Sequence, residues 1–257
     1  MSHAWDAGQY LRFAHERTQP ALDLVARVDL SAPRRIVDLG CGPGNSTAIL
    51  KARWPEAEVT GLDSDADMLA AARRDHPGIK FSAADIADWR PEQPYDLVFS
   101  NAALQWVGDH ERLLPRLRDA VAPGGFLAVQ MPRNHDFQTH ALMRQVAAEG
   151  PWAERVAGAR APSPVQPPEF YYDRLAPHSA RFTIWETNYI QIMDGPDAIV
   201  SWLMGTGLRP FLDRLTPGEQ PIFLDRYQAL LAAAFPARAD GKVLLPYPRL
   251  FFIAMSA

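Results

Sequence analysis

Residues 35–46 read Arg35-Ile36-Val37-Asp38-Leu39-Gly40-Cys41-Gly42-Pro43-Gly44-Asn45-Ser46. Ile36, Val37 and Leu39 form a short apolar run of the kind a parallel strand buries on both faces, and it breaks at once into three glycines at alternate positions. Residues 46–54 then carry a helical pattern. A strand that turns into a helix through Gly40, Gly42 and Gly44 needs backbone angles closed to other residues, and it lets the main chain approach a ligand closely. The N-H groups that open such a helix are unpaired and carry partial positive charge, which suits an anionic group.

A glycine triplet alone also serves as a plain connector, so its neighbours decide the reading. Asp38 stands two residues before Gly40, and a second strand-like run over 58–62 ends at Asp63, nineteen residues after Gly44. An acid at the tip of the second strand is where a ribose diol is held. The spacing is G-x-G-x-G, not the dinucleotide G-x-G-x-x-G. With the acidic and hydrophobic residues ahead of it, this stretch resembles the first motif of the class I S-adenosylmethionine-dependent methyltransferases. The resemblance implies S-adenosylmethionine as cofactor, S-adenosylhomocysteine as product, and no metal. It implies Asp38, Gly40, Cys41, Gly42 and Gly44 around the methionyl end, Asp63 and Ser64 at the ribose, and Asp85 with Ile86 at the adenine. Met68 borders the adenine or packs in the core, and Asn101 with Ala102 face the sulfonium.

Outward from the glycine turn, alternating segments predict a doubly wound α/β fold. Strands are expected over 35–39, 58–62, 79–83, 95–100, 126–131, 182–193 and 250–255, the last two antiparallel and hairpin-like. Helices are expected over 46–54, from Asp65 onward, over 111–122 with a stop at Pro123-Gly124-Gly125, and over 198–204 and 217–235. Residues 8–30 suit one or two amphipathic helices, with Pro20 as a break or a start. The resulting fold class is a seven-stranded, mostly parallel, Rossmann-like sheet with helical and loop lid insertions. A single domain over 1–257 is expected, with a cofactor-binding core at 30–132, an N-terminal helical cover at 1–29, and lids at 150–180 and 196–248. The proline-rich stretch 150–177 excludes a continuous helix.

Composition removes several functions. With 26 basic and 30 acidic residues and a net charge of −4, the chain lacks the basic footprint of a nucleic-acid or anionic-membrane binder. Cys41 is the sole cysteine, so an internal disulfide is impossible. Asp63-x-Asp65-x-Asp67 invites a calcium-loop reading, which fails because Met68 and Arg74 occupy the glycine and glutamate positions. No His or Cys cluster has metal-ligand spacing. Met1 begins no basic and apolar leader, so a cytoplasmic protein, monomeric or homodimeric, is expected.

The motifs of the core say nothing about the methyl acceptor. Four further segments do: Trp5-Asp6-Ala7-Gly8-Gln9-Tyr10, the loop 101–106 (Asn-Ala-Ala-Leu-Gln-Trp), 202–210 and 245–250. Together they resemble, within that family, O-methyltransferases of a compact tricarboxylic acid. Such a small anionic acid calls for arginines on loops around the crevice, in bidentate geometry where possible. Arg133, Arg209 and Arg249 fall at strand tips or insertions; each alone reads more readily as a surface charge, and the resemblance reverses that order for Arg209 and Arg249. Tyr247, His135, Trp106 and Tyr10 complete the expected acceptor wall. No general base is required, because a carboxylate is ionised at neutral pH. Two other readings stay open: methylation of another small acid or a carrier-bound malonyl group, and a non-catalytic cofactor-binding regulator.

Overall fold

The computed structural model describes residues 14–159, 165–204 and 207–257, with the side chains of 14–17 excepted. Tyr10 and the rest of its segment, with residues 205–206, lie outside the described residues. The chain divides into two compact units. One takes His15–Pro132, Ser163–Thr187 and Arg249–Ala257, and carries most of a sheet; the other takes Arg133–Pro162 and Asn188–Pro248, and is mainly helical.

The sheet has seven strands in the order β3-β2-β1-β4-β5-β7-β6. They are β1 (Arg35–Leu39), β2 (Glu58–Asp63), β3 (Lys80–Ala83), β4 (Tyr95–Asn101), β5 (Val121–Pro132), β6 (Ser179–Met193) and β7 (Val243–Ser256). The first five are parallel, and β7 runs antiparallel to β5. Order reverses between β1 and β4, so the crevice beyond the carboxyl ends of those strands is the expected ligand site of a doubly wound sheet.

Burial explains why the central strands β1, β4 and β5 are largely apolar, while β6 is mostly exposed or half-buried and carries more polar residues. On one face of the sheet Val37, Leu39, Val98, Leu127, Val129, Leu250 and Phe252 pack with Leu113, Leu114 and Leu117 of a helix at His110–Asp119 and with Tyr171 and Leu175 of another at Pro168–Leu175. Each of these side chains contributes roughly 1.5–3 kcal/mol by leaving water. The other face meets the helix Asn45–Arg53, whose Ser46 and Thr47 reach Asp38. In order, α1 is Ala14–Ala26, α2 Asn45–Arg53, α3 Ala66–Asp75, α4 His110–Asp119, α5 Gln138–Glu149, α6 Ala153–Val156, α7 Pro168–Leu175, α8 Pro196–Met204, α9 Arg209–Leu212 and α10 Glu219–Ala234.

Several expected boundaries move. Pro20 lies inside α1 instead of breaking it, because Ala21, Leu24 and Val25 bury the face that follows and offset the lost backbone bond. Helix α4 ends at Asp119, and Pro123-Gly124-Gly125 belongs to β5, not to a helix stop. There Tyr95 pairs with Val121 and Leu97 with Phe126, so four residues of β5 loop out opposite one of β4, with Gly124 at φ 72°. Pro246 and Pro248 lie within β7, although its ladder with β5 starts only at Arg249, so neither proline owes that ladder a donor. Residues 209–210, expected as connection, open α9, with Pro210 in its first turn where no N-H is needed. The stretch 150–177 contains the two short helices α6 and α7, as its prolines require.

In the helical unit, Met143, Val146, Trp152, Ile199, Trp202, Phe211, Phe223, Tyr227 and Val243 share one core. The Tyr227 hydroxyl donates to the Thr139 carbonyl at 3.0 Å and the Trp152 indole N-H to the Val146 carbonyl at 3.0 Å, so two large buried aromatics keep their polar atoms paired.

Candidate active site

The glycine turn is held from three sides. Gly40, Gly42 and Gly44 all have left-handed φ, at 74°, 53° and 94°. The Gly40 and Cys41 N-H groups donate to the Leu62 carbonyl at 2.8 and 2.9 Å, tying the turn to the end of β2. A Cβ on Gly40 would meet the Ala103 Cβ at 2.2 Å and the Ile86 side chain at 3.4 Å. Glycine there is what lets the loops after β3 and β4 close on the turn. Gly42 has open space where a Cβ would lie, forming a cradle exposed to a ligand.

Two carboxylates brace this turn. Asp63 accepts the Gly42 N-H at 2.8 Å on one oxygen and the Asp65 N-H at 2.9 Å on the other. Asp38 is fully buried, and one of its oxygens accepts both the Ser46 hydroxyl at 2.6 Å and the Thr47 hydroxyl at 2.7 Å. Its other oxygen has no partner among the described residues. Burial pushes the Asp38 carboxyl up from 3.8 to about 6, the two hydroxyls hold it lower than burial alone would, and Asp63 nearby adds to the rise. The Cys41 thiol is pushed far above its ordinary value, again chiefly by burial, which makes it a packing residue and not a nucleophile.

The other cofactor candidates gather around the same turn. Asp65 caps α3, accepting from the Asp67 and Met68 N-H groups at 2.8 and 3.1 Å. Ser64 is exposed and Met68 half-buried, while Leu69 and Ala72 supply the buried face of α3. The Ala84 N-H donates to the Asp63 carbonyl at 3.0 Å, so the ends of β2 and β3 are joined. Asp85 is exposed and accepts the Ala87 N-H at 2.8 Å in a local turn, and Ile86 is buried against Gly40. At the tip of β4, Ala102 holds φ 54°, a left-handed value uncommon for a residue with a Cβ. It is fixed by its N-H to the Gln130 carbonyl at 2.9 Å and by the Gln105 side-chain amide on its own carbonyl. Strain of this kind persists where the surroundings over-determine it, as at ligand sites.

The loop 101–106 is anchored by a pair that sequence reading did not single out. His110 is buried; its Nδ1 lies 2.8 Å from the Tyr171 hydroxyl and its Nε2 2.9 Å from the Leu104 carbonyl. A carbonyl only accepts, so Nε2 carries the proton and Nδ1 accepts from Tyr171. The Tyr171 oxygen in turn accepts the Gln166 N-H at 3.0 Å. Burial lowers the His110 pKa, so the neutral ring is the native form. Trp106 follows on a 3-10 turn at Leu104–Trp106 and is 60% exposed, a large apolar surface left at the mouth of the crevice.

Of the residues expected on the acceptor side, Arg249 belongs to the sheet unit, is 3% exposed, and donates from Nη1 to the Gln130 side-chain oxygen at 3.1 Å. Arg133, His135, Arg209 and Tyr247 belong to the helical unit. Arg133 is exposed, its N-H donating to the Pro248 carbonyl at 2.9 Å. His135 is half-buried, with its ring 6.4 Å from that of His140 in α5. Arg209 lies 3.8 Å from Asp213 one helical turn on, and Tyr247 sets its ring edge against Trp202 at 5.6 Å. Among the described residues no group of three His, Cys, Asp or Glu could hold a metal ion, and no helix is long and apolar enough to cross a membrane.

Comparison with known proteins agrees with this geometry. Residues 36–125 match the family model described as a methyltransferase domain. A trans-aconitate 2-methyltransferase of Azoarcus sp. (strain BH72) is 52% identical over 251 residues, covering 98% of each chain. One of Methylobacterium nodulans is 55% identical over 251 residues, covering 97% of each. Among solved structures, the fold resembles Haemonchus contortus phosphoethanolamine N-methyltransferase 2 in complex with S-adenosyl-L-methionine, at TM-score 0.55 and 18% identity over 97% of this chain and 57% of that one. It also resembles the MccD protein, at TM-score 0.56 and 14% identity over 92% and 96%. Likeness at that identity shows the fold alone; the near-complete match to the first two relatives establishes more, and the chain belongs to the trans-aconitate 2-methyltransferase family.

Proposed function

We propose that the protein is an S-adenosylmethionine-dependent carboxyl O-methyltransferase that converts trans-aconitate to its monomethyl ester. The observation that carries the proposal is the agreement between the full-length relatives and the turn at Asp38 to Gly44, where an open cradle over Gly42 adjoins two acids at strand tips. We assign Asp63 and Ser64 to the ribose, Asp85, Ile86 and Met68 to the adenine, and Gly40, Cys41, Gly42, Gly44 and the opening of α2 to the methionyl end. Asn101 and Ala102 face the reacting centre. The cofactor supplies an electrophilic methyl on a sulfonium and leaves as S-adenosylhomocysteine.

The acceptor needs no deprotonation, since its carboxyl groups have ordinary pKa values near 4 and are ionised at pH 7. With the cofactor bound, an oxygen of one carboxylate would take the methyl group, the electron pair of the carbon–sulfur bond staying on sulfur. No proton moves. The protein's part is therefore to orient and to exclude water. We assign Arg133, Arg209 and Arg249 to the spectator carboxylates and Trp106, His135 and Tyr247 to the wall of the acid; Tyr10, a further candidate, lies outside the described residues. The arginines must leave the reacting oxygen the least encumbered, because a guanidinium on it would blunt the nucleophile. On this proposal the protein works in the cytoplasm on a free small acid, as a monomer or homodimer, with neither nucleic acid nor membrane as partner.

The test is incubation of pure protein with methyl-labelled cofactor and a panel of di- and tricarboxylic acids plus a malonyl-carrier thioester. Label is expected on trans-aconitate with the highest kcat/KM. Label on none of the acids, or preference for the carrier thioester, overturns the proposal.

A further inference from the structure

At the carboxyl ends of the central strands, three adjacent strands each bring a polar side chain to one face of the sheet. Asn101, the last residue of β4, pairs with Gln130 of β5, and Gln130 pairs with Phe251 of β7. Side chains two apart on a strand share a face, so Arg249, which is opposite Pro132, lies on the same side as Phe251, diagonally across from Gln130, and Asn101, Gln130 and Arg249 share one face. The same alternation puts Asp38 on that face, through its pairing with Phe99 two residues before Asn101. The opposite face at this level is apolar, with Val129, Met131, Leu250 and Phe252.

Gln130 is fully buried in the middle of this sheet, a position that costs free energy unless both ends of the amide are used. One end is used: its oxygen accepts from Arg249 Nη1 at 3.1 Å. That bond also settles which way the amide points. A guanidinium only donates, so the oxygen must face Arg249 and the NH2 group must face away. Nε2 then has no partner among the described residues, and the same holds for the Asn101 side-chain oxygen. Gln130 and Arg249 thus form a neighbouring pair in which the amide keeps its donors unspent beside a cation, and two sets of donors side by side complement a carboxylate.

The geometry points to Gln130 as a specificity-determining residue of the acceptor subsite: its oxygen holds the Arg249 guanidinium in place, and its Nε2 donates to a carboxylate oxygen of the acid bound there. The inference rests on the acceptor being a small polycarboxylate, as proposed above. It explains why an amide stands at 130: a glutamate would set a negative charge against the incoming acid, and an aliphatic side chain would offer neither the acceptor that Arg249 Nη1 uses nor the Nε2 donors. Because both residues draw charge from the oxygens they hold, the carboxylate bound here is a spectator and not the nucleophile.

The experiment compares wild type with Gln130→Glu and Gln130→Met in the full chain, measuring kcat and KM for trans-aconitate, cofactor affinity by calorimetry, and Tm. Gln130→Glu is expected to lower kcat/KM by about a hundredfold and Gln130→Met by about tenfold, the range for losing hydrogen bonds to a charged group, and chiefly through KM. Cofactor affinity should stay within about twofold, since either substitution keeps the Gln130 backbone carbonyl that accepts the Ala102 N-H and the strand pairing that places Asn101. Tm of Gln130→Glu should hold or rise, because a carboxylate replaces a neutral amide as the acceptor of the buried Arg249 guanidinium. Gln130→Met carries the test alone if the glutamate variant does not fold. A folded variant with wild-type acceptor kinetics, or with cofactor affinity falling as far as acceptor affinity, overturns the inference while leaving the proposed function standing. A wild type that methylates no acid overturns the proposed function, and this inference with it.

Discussion

Asp38 is the residue at which the glycine turn costs the fold most. Its carboxyl is fully buried and titrates at about 6 in the folded chain, against 3.8 ordinarily. Below about pH 4 it is protonated in both folded and unfolded chains and carries no penalty. Between there and about pH 6 the unfolded chain ionises while the native one holds its proton, so the unfolded state binds fewer protons and stability falls as pH rises. The rise from 3.8 to about 6 corresponds to roughly 3 kcal/mol, fully lost by pH 7. Asp38→Asn keeps an oxygen for the Ser46 and Thr47 hydroxyls and removes the titration. Urea unfolding without cofactor should show wild type losing about 3 kcal/mol relative to Asp38→Asn between pH 4 and pH 7. A difference that does not change with pH would exclude the buried-carboxyl account. Asp38 and the three glycines were legible in the sequence, because their spacing encodes a local backbone requirement. Its partners Ser46 and Thr47 were not, since a hydroxyl at the start of a helix reads as ordinary helix composition.

At the scale of elements, the loop after β4 depends on a contact between α4 and α7. The Tyr171 hydroxyl both donates to His110 and accepts from the Gln166 N-H, and its ring stacks on Phe252 at 5.2 Å. Tyr171→Phe keeps the stacking and removes both hydrogen bonds, and it leaves His110 Nδ1 buried without a donor. Stability should fall by roughly 1–3 kcal/mol. Since native His110 resists protonation, its contribution has its own pH sense: it is present above about 6.5 and is lost as pH falls below that value, when the unfolded chain takes up the proton first. The loop carrying Trp106 should loosen as well, so kcat for trans-aconitate falls several-fold with cofactor affinity unchanged. Chemical denaturation and acceptor kinetics on one preparation check both parts, and an unchanged denaturation midpoint would show that the pair does not hold the loop. The helical periodicity of α4 placed Leu113, Leu114 and Leu117 in the core correctly, but its end was misread. Pro123-Gly124-Gly125 is a strong local stop signal, and here it serves a strand that bulges out of register with β4.

The whole molecule bears a formal charge of −4, and a trianion is repelled by that net charge at long range. If the arginines of the acceptor site dominate the local field, salt should weaken binding; if the net charge dominates, salt should strengthen it. Raising salt from about 0.01 to about 0.1 M shortens the screening length from roughly 30 to 10 Å, enough to separate the two. KM for trans-aconitate is expected to rise across that range, with the cofactor's KM nearly flat. A falling KM for the acid would place the arginines away from it.

The sequence by itself determined the class of sheet, the position of the cofactor turn and the acids at the tips of β2 and β3. These depend on short-range physics: glycines forced to positive φ, apolar runs of strand length, and a carboxylate a fixed distance beyond a turn. Local pattern also set most strand limits to within a residue or two. Tertiary structure alone decided what pairs across the chain. Gln130 lies 119 residues from Arg249 and His110 lies 61 from Tyr171, and no local period links either pair. The one sequence signal for Gln130 was a polar residue in the otherwise apolar run 126–131, and its meaning depends on which residue faces it from β7. The same dependence put Pro246 and Pro248 inside a strand. A proline is excluded only where a neighbouring strand requires its N-H, and the register of β7 on β5 begins one residue beyond Pro248.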